Sequence, residues 1–234
     1  MPVTLTIIRY PNKYIPFALL AMAIFRLPLA LNKTISFYKL MGCGKNGTFD
    51  KKADLNQWAI LACHKKNVQQ YQHKNIYGTF IENWLKRYNC ETYTFYLEAI
   101  EGHGTWDGKK PFDNMPANGK HEGRLAILTR ATIRINKLKD FWQHVAPVAK
   151  RMKDSEGFIM SVGIGELPLI KQATFSVWES KEAMKKFAYQ RNEHTDVIRK
   201  TKEQKWYSED MYTRFAITGS IGTIQGFDPL QRKL

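Results

Sequence analysis

Strand-length apolar blocks and helix-length apolar stripes follow one another along this chain in an order that occurs twice. In the first half, Val3–Arg9, Ile35–Met41, Gln57–Cys63 and Thr92–Ile100 read as strands, and Ile15–Leu31 and a segment within Asn67–Tyr88 read as helices. The second half repeats the order. Its strands are Arg124–Ile135, Phe158–Ile164, Gln172–Trp178 and Tyr212–Thr218. Its helices are Leu138–Met152, which Pro147 is expected to kink, and a broken one across Lys181–Trp206.

Each half is therefore β-α-β-β-α-β, the split βαβ pattern of a ferredoxin-like unit. The predicted fold class is α+β, with two tandem ferredoxin-like halves whose sheets pack face to face or close into one α+β barrel with helices outside. Residues 1–105 form the first half and 124–234 the second. Residues 106–123, rich in Gly, Pro, Asn and Asp, form a linker expected to cross the surface in solvent. The repeat also shows in residues: Gly42-Cys43-Gly44 and Gly163-Ile164-Gly165 end corresponding strands, and Gln57 and Gln172 open the strands that follow. Gly42, Gly44 and Gly47 spell G-x-G-x-x-G, but the polar stretch after them leads to another strand instead of a helix, so turn geometry and close backbone approach explain them better than a dinucleotide site.

Composition narrows the class. With 44% hydrophobic and 13% aromatic residues in 234, the chain can fill a core. Three cysteines without C-x-x-C spacing suggest neither a disulfide framework nor a zinc ribbon, and a reducing cytoplasm fits them. A net charge of +15 favours nucleic acid, an anionic membrane or an acidic protein partner without choosing among them. The RNA-recognition strand motif is absent from both halves, so no nucleic acid partner is expected. Ile15–Leu31 is nearly all apolar, but Arg26 and Pro28 interrupt it, which favours a core helix over a membrane span. Ala21-Met22-Ala23 resembles a signal cleavage site, although no basic region precedes it.

No hydrolytic constellation competes: G-x-S-x-G, H-E-x-x-H and the P-loop are all missing. Redox chemistry would have to borrow a cofactor. Of the six histidines, His64, His73, His103 and His121 stand among polar neighbours and are expected to be exposed, and His144 flanks a helical stripe. His194 differs. It precedes Val197 and Ile198 by three and four residues and follows Phe187 by seven, which puts it on the apolar side of the last helix. A histidine on such a face is more often a hydrogen-bonded core residue than a ligand. Glu193 and Asp196 beside it could orient the imidazole towards a metal.

Several stretches taken together resemble one family. They are Phe37-Tyr38-Lys39-Leu40-Met41-Gly42, Trp58-Ala59-Ile60-Leu61-Ala62, Trp106-Asp107-Gly108-Lys109, Ala126-Ile127-Leu128-Thr129-Arg130-Ala131-Thr132, Gly163-Ile164-Gly165-Glu166, Gln172-Ala173-Thr174-Phe175-Ser176-Val177-Trp178, and the run from His194 through Trp206 to Arg214-Phe215. In this combination the chain resembles the spheroidene monooxygenases of carotenoid biosynthesis. The resemblance implies a dimeric α+β barrel-like fold and a b-type haem enzyme. It also implies O2, electrons from a ferredoxin, and two oxygenations at one CH2 of an acyclic carotenoid that yield a 2-ketone. It makes His194 the expected iron ligand, with Phe175, Phe187, Ile198 and Trp206 as pocket walls and Arg130 and Arg214 as partners for the propionates. A haem protein that stores, senses or transfers without oxygenating is the alternative, as is oxygenation of another apolar substrate. The chain departs from the family in its lysine content and its very apolar helix. These suit peripheral contact with the inner face of a membrane or docking to an acidic ferredoxin, and the oligomeric state, a homo-oligomer included, stays open.

Overall fold

A computed structural model describes residues 1–45, 47, 52–65, 75–112, 121–189, 201 and 204–231, with 144–150 and 189 as backbone only. The strands are β1 (Pro2–Arg9), β2 (Ile35–Gly44), β3 (Ala53–His64), β4 (Glu91–Gly104), β5 (Leu125–Ile133), β6 (Phe158–Leu167), β7 (Lys171–Trp178) and β8 (Tyr207–Gly222). The helices are α1 (Ile15–Ile24), α2 (Arg26–Leu31), α3 (Thr79–Arg87), α4 (Leu138–Lys153) and α5 (Lys181–Tyr189). The single helix expected over Ile15–Leu31 is two. The ring of Pro28 conflicts with the carbonyl of Ile24 one turn earlier, and the break falls at Phe25. By contrast, α4 runs through Pro147 as one span.

All eight strands close one barrel in the order β1-β3-β2-β6-β7-β5-β8-β4. Each half contributes a ferredoxin-like sheet, β4-β1-β3-β2 and β8-β5-β7-β6, and every pairing is antiparallel. This is the α+β barrel of two ferredoxin-like halves. Strand alternation sends one set of side chains inward, where Val3, Leu5, Leu61, Phe95, Leu128 and Phe175 belong to one buried cluster. The interior is thus filled by the barrel's own side chains.

The two seams between halves are unequal. Between β4 and β8 the register runs from Tyr93↔Gly222 to Gly104↔Met211, whereas β2 and β6 pair only at Gly42↔Gly165 and Cys43↔Ile164. The repeated glycines therefore meet each other across the short seam. A Cβ on Gly165 would stand 2.8 Å from the Lys171 carbonyl oxygen, so the close approach needs glycine there. Side chains continue the seam where the backbone stops, through Lys39 Nζ to Glu166 Oε2 at 2.7 Å on one side and Ser161 Oγ to the Gly47 carbonyl at 2.5 Å on the other.

Both barrel mouths are shut by the same device. After β4 the chain reads Gly104-Thr105-Trp106-Asp107-Gly108, and after β8 it reads Gly222-Thr223-Ile224-Gln225-Gly226. Each run makes a tight turn bridged at its ends, Trp106↔Lys109 and Ile224↔Phe227, with positive φ at Asp107, Gly108, Gln225 and Gly226. Each turn is held by a glutamate at or near the start of the other half's last strand. Glu209 accepts from Thr105 Oγ1 at 2.7 Å and Gly108 N at 2.8 Å, and Glu91 accepts from Thr223 Oγ1 at 2.8 Å and Gly226 N at 2.7 Å.

At the Trp106 mouth this clasp is surrounded by charge. Asp107 is bonded to Lys39 and, at 2.7 Å, to Lys171, while Arg130 pairs with Glu209 and the Trp106 indole donates to Glu166 at 2.6 Å. The sequence placed this segment in an exposed linker. Trp106 and Phe112 are instead buried in the barrel core, because large aromatic rings are what fill its open mouth.

A second buried polar group corrects another expectation. His64, expected at the surface, is wholly buried on the outer face of the first sheet, with the Tyr77 ring beside it. Its Nε2 lies 2.9 Å from Thr4 Oγ1, and Thr4 and Thr6 share the Tyr77 hydroxyl. Burial lowers the imidazole to about 4. Asp107 and Glu209 are raised by burial, but hydrogen bonds and cations outweigh it: Lys171 and Lys39 for the first, and Gly108, Thr105 and Arg130 for the second. Both carboxyls are held at about 2.

These values set the acid response. The neutral His64 loses stability for the fold as pH falls from about 6.5, the unfolded value, to about 4, a stage worth up to about 3 kcal/mol. The contribution of Asp107 and Glu209 is complete above about pH 4 and is lost as pH falls towards 2. Denaturant melts across pH 8 to 2 should show both stages, with His64→Gln removing the upper one and Glu209→Gln shrinking the lower. Gly104→Ala and Gly222→Ala should each cost at least about 2 kcal/mol, since both have positive φ and a Cβ would strike a carbonyl of the facing strand. Chemical denaturation of either variant at wild-type stability would disprove the clasp.

Candidate functional site

With the described inward side chains packed in one buried cluster, the outer faces are where a ligand is sought. On the first half, strands β1, β3 and β2 carry one continuous apolar cluster that includes Ile8, Ile60, Ala62 and Leu40 with α1, α2 and Tyr77. The second half is built differently. Its outer face holds two separate clusters, Leu125, Ile127, Trp178 and Met184 near α5, and Ile133, Phe141, Trp142 and Trp206 at the start of α4. The helix α4 reaches from one to the other, with Phe141 in the second and Met152 in the first.

Between the clusters the sheet offers small and hydroxyl-bearing residues. Register aligns Gly163, Thr174, Thr129 and Tyr212 in one row across β6, β7, β5 and β8, a floor roughly 14 Å wide at ordinary strand spacing. Thr129 is exposed although it stands mid-sheet with buried neighbours on either side in sequence. The row ends at Tyr212, whose ring stacks on His103 at 5.6 Å, and Arg214 lies one pleat further along the same face. Arg214 gives one amino group to Glu101 and another to the Tyr212 hydroxyl at 3.4 Å. Among the described residues, the buried Arg214 Nε and Thr174 Oγ1 have no hydrogen-bond partner. Unsatisfied buried polar atoms on an open floor are what a bound polar group would complete.

The residues singled out from sequence divide among three places. Phe187 packs on Trp178 at 5.3 Å beside the floor, and Arg214 stands on the same face. Trp206 is buried in the cluster at the other edge. Phe175 points the opposite way, into the barrel against Phe95 at 5.1 Å, because alternation puts it on the reverse side of β7 from Thr174. It cannot wall the same planar ligand as Phe187. Arg130 is also on the inward side, spent on Glu209 and Asp107 at the barrel mouth. His194 and Ile198 lie outside the described residues, as does His73. Among the described residues, no group of three or more His, Cys, Asp or Glu could hold a bare metal ion.

Sequence reasoning missed the floor residues Thr129 and Thr174. A signal was available for Thr174, a hydroxyl at an outward position of β7, whose first-half counterpart β3 carries Ile60 and Ala62; for Thr129 there was none, since β1, the counterpart of β5, carries Thr4 and Thr6 outward as well. It also missed the charged mouth, although Lys39, Asp107, Arg130 and Glu166 all sit inside the stretches that carried the family resemblance.

Residues 125–217, the sheet that bears the floor, match a family described as a domain of unknown function, DUF3291. The chain is 30% identical over 237 residues to the spheroidene monooxygenase of Rhodobacter capsulatus, covering 100% of this chain and 98% of that protein. It is 30% identical over 200 residues to the spheroidene monooxygenase of Cereibacter sphaeroides, covering 85% of this chain and 60% of the other. An aldoxime dehydratase crystallised with butyraldoxime shares the fold, with TM-score 0.57 and 12% identity over 92% of this chain and 79% of that one. The match to the first of these proteins along essentially its whole length shows that the chain belongs to the spheroidene monooxygenase family.

Proposed function

We propose that the chain is a haem b-dependent monooxygenase that oxidises an acyclic, spheroidene-like carotenoid to a 2-keto product, using O2 and electrons from a ferredoxin-type donor. The observation that carries this reading is the open floor at Thr129 on the second half, in a chain whose full-length relative is a spheroidene monooxygenase.

The residues present fit a flat, mostly apolar group with a polar edge. Thr129 is exposed on the sheet, Phe187 and Trp178 supply an apolar wall, and Thr174 Oγ1 and Arg214 Nε offer unsatisfied polar atoms for carboxylates. His194 is the residue that would hold the haem iron, on the strength of its place in the sequence. Haem, when bound, supplies the activation of O2. The chain's own part is to hold the group, keep water from its apolar wall and orient a long polyene alongside it. Arg130 and Phe175, on the other side of the sheet, act on stability alone.

The absorption spectrum of the purified protein, oxidised and then reduced under CO, is the direct test. A Soret band that shifts with CO is expected, followed by ketone formation from an acyclic carotenoid with reduced ferredoxin. His194→Ala should lose or shift the band. Thr129→Trp, which projects a large ring over the floor, should lose haem while remaining folded. Phe175→Leu should cost about 1–3 kcal/mol without altering the spectrum. Absence of a Soret band after haem reconstitution would reject the proposal, and a haem spectrum with no carotenoid turnover would leave a haem carrier in its place.

A further inference from the structure

The helix pair α1–α2 is inside out by the standard of a water-facing helix, which buries its large apolar residues and exposes polar ones. Here α1 buries Ala18 and Ala21, and its outward positions are Phe17, Leu19 and Leu20. The pattern continues in α2, where Leu27 and Leu31 are 66% and 69% exposed. Phe80, at the start of α3, adds a half-exposed ring beside Phe25, with centroids 6.5 Å apart. The stretch Asn12–Leu31 is long and apolar enough to cross a membrane. It nevertheless lies along the barrel with its alanine face on the first sheet, bends at Phe25, and so presents a side instead of an end.

Charge is arranged around this face with one sign. Lys13, Arg26 and Lys33 are exposed before, between and after the helices, and the chain has no Asp or Glu before Asp50. On neighbouring α3, Glu82 is tied to Lys86 at 2.7 Å. An acidic protein would complement the cations but not the leucines. A hydrocarbon layer beneath phosphate headgroups complements both, because it accepts outward leucines without matching their shape.

We propose that α1–α2 is a docking surface for an anionic lipid bilayer, with the helices in the headgroup plane, the outward Phe and Leu side chains in the acyl boundary, and Lys13, Arg26 and Lys33 at phosphates. The inference stands apart from the haem reading, since binding to lipid needs neither cofactor nor turnover.

The test is flotation of the full chain with vesicles of phosphatidylcholine alone or with phosphatidylglycerol added. The wild type should float with the phosphatidylglycerol vesicles and bind the neutral ones more weakly, with binding reduced by salt. The triple variant Leu20→Glu/Leu27→Glu/Leu31→Glu should stay with the soluble fraction, and Ile135→Glu, an exposed position on the second half, should float as the wild type does. Neutralising Lys13, Arg26 and Lys33 to Gln should weaken binding to the anionic vesicles about a hundredfold. Failure of the wild type to float with either vesicle, or flotation of the triple leucine variant, would overturn the proposal. So would a wild-type dimer that ignores vesicles and becomes monomeric in the leucine variant, since the face would then join two copies of the chain.

Discussion

Closing one sheet around two unequal seams is the constraint on which this structure rests. A barrel removes exposed strand edges only if both junctions hold. One junction here has a long ladder, and the other has two residue pairs at Gly42↔Gly165 and Cys43↔Ile164. The ion pair Lys39–Glu166 extends the short one, and the same Glu166 takes the indole hydrogen of Trp106, so the mouth plug and the weak seam share a residue. The glutamate clasps add reciprocity. Glu91 of the first half holds the turn that ends the second, and Glu209 of the second holds the turn that ends the first. Neither half can close its own end of the barrel.

That closure decides where chemistry can be. Phe95, Phe175, Phe215 and Trp106 pack the interior among the described residues, and the two halves carry different clusters on their outer faces. The first invests Ile8, Ile60 and Ala62 in packing against helices, with His64 buried neutral among threonines. The second has an exposed Thr129 and a buried, unpartnered Thr174 hydroxyl between two clusters. The frame occurs twice, and among the described residues the two copies carry different side chains on their outer faces.

Legibility from sequence followed the range of the signal. Element order and the ferredoxin-like repeat rest on local periodicity, and every predicted strand is present within a few residues of its expected place. The break at Phe25 was implicit in Pro28 but required counting back one helical turn. The repeated Gly-Thr-x-x-Gly of the clasps was written in the chain, yet its meaning depends on Glu91 and Glu209, which are remote in sequence and come into contact only when the barrel shuts. Phe175 and Arg130 were assigned to a pocket because they are a large aromatic and a cation in family-like stretches. Pocket walls are chosen by strand parity, and parity cannot be converted to inside or outside until it is known which face of the sheet the barrel encloses. His64 failed for a related reason: polar sequence neighbours say nothing about Thr4 and Tyr77, which are remote in sequence and enclose it only in the fold.

The division between faces also bears on how the protein would work at a lipid surface. The sheets of the two halves occupy successive arcs of one barrel, so an outward normal on the first arc points away from that on the second. Docking through α1–α2 would hold the chain at a bilayer through the first arc and leave the second-half floor on another arc of the barrel, free of the lipid contact itself. Anchoring and chemistry would then be separate tasks. Under this arrangement, loss of the outward leucines should impair turnover of carotenoid embedded in vesicles while sparing turnover of the same carotenoid in detergent. Loss of the floor should impair both alike, because a site occupied by Trp at position 129 gains nothing from its substrate being delivered in a different form.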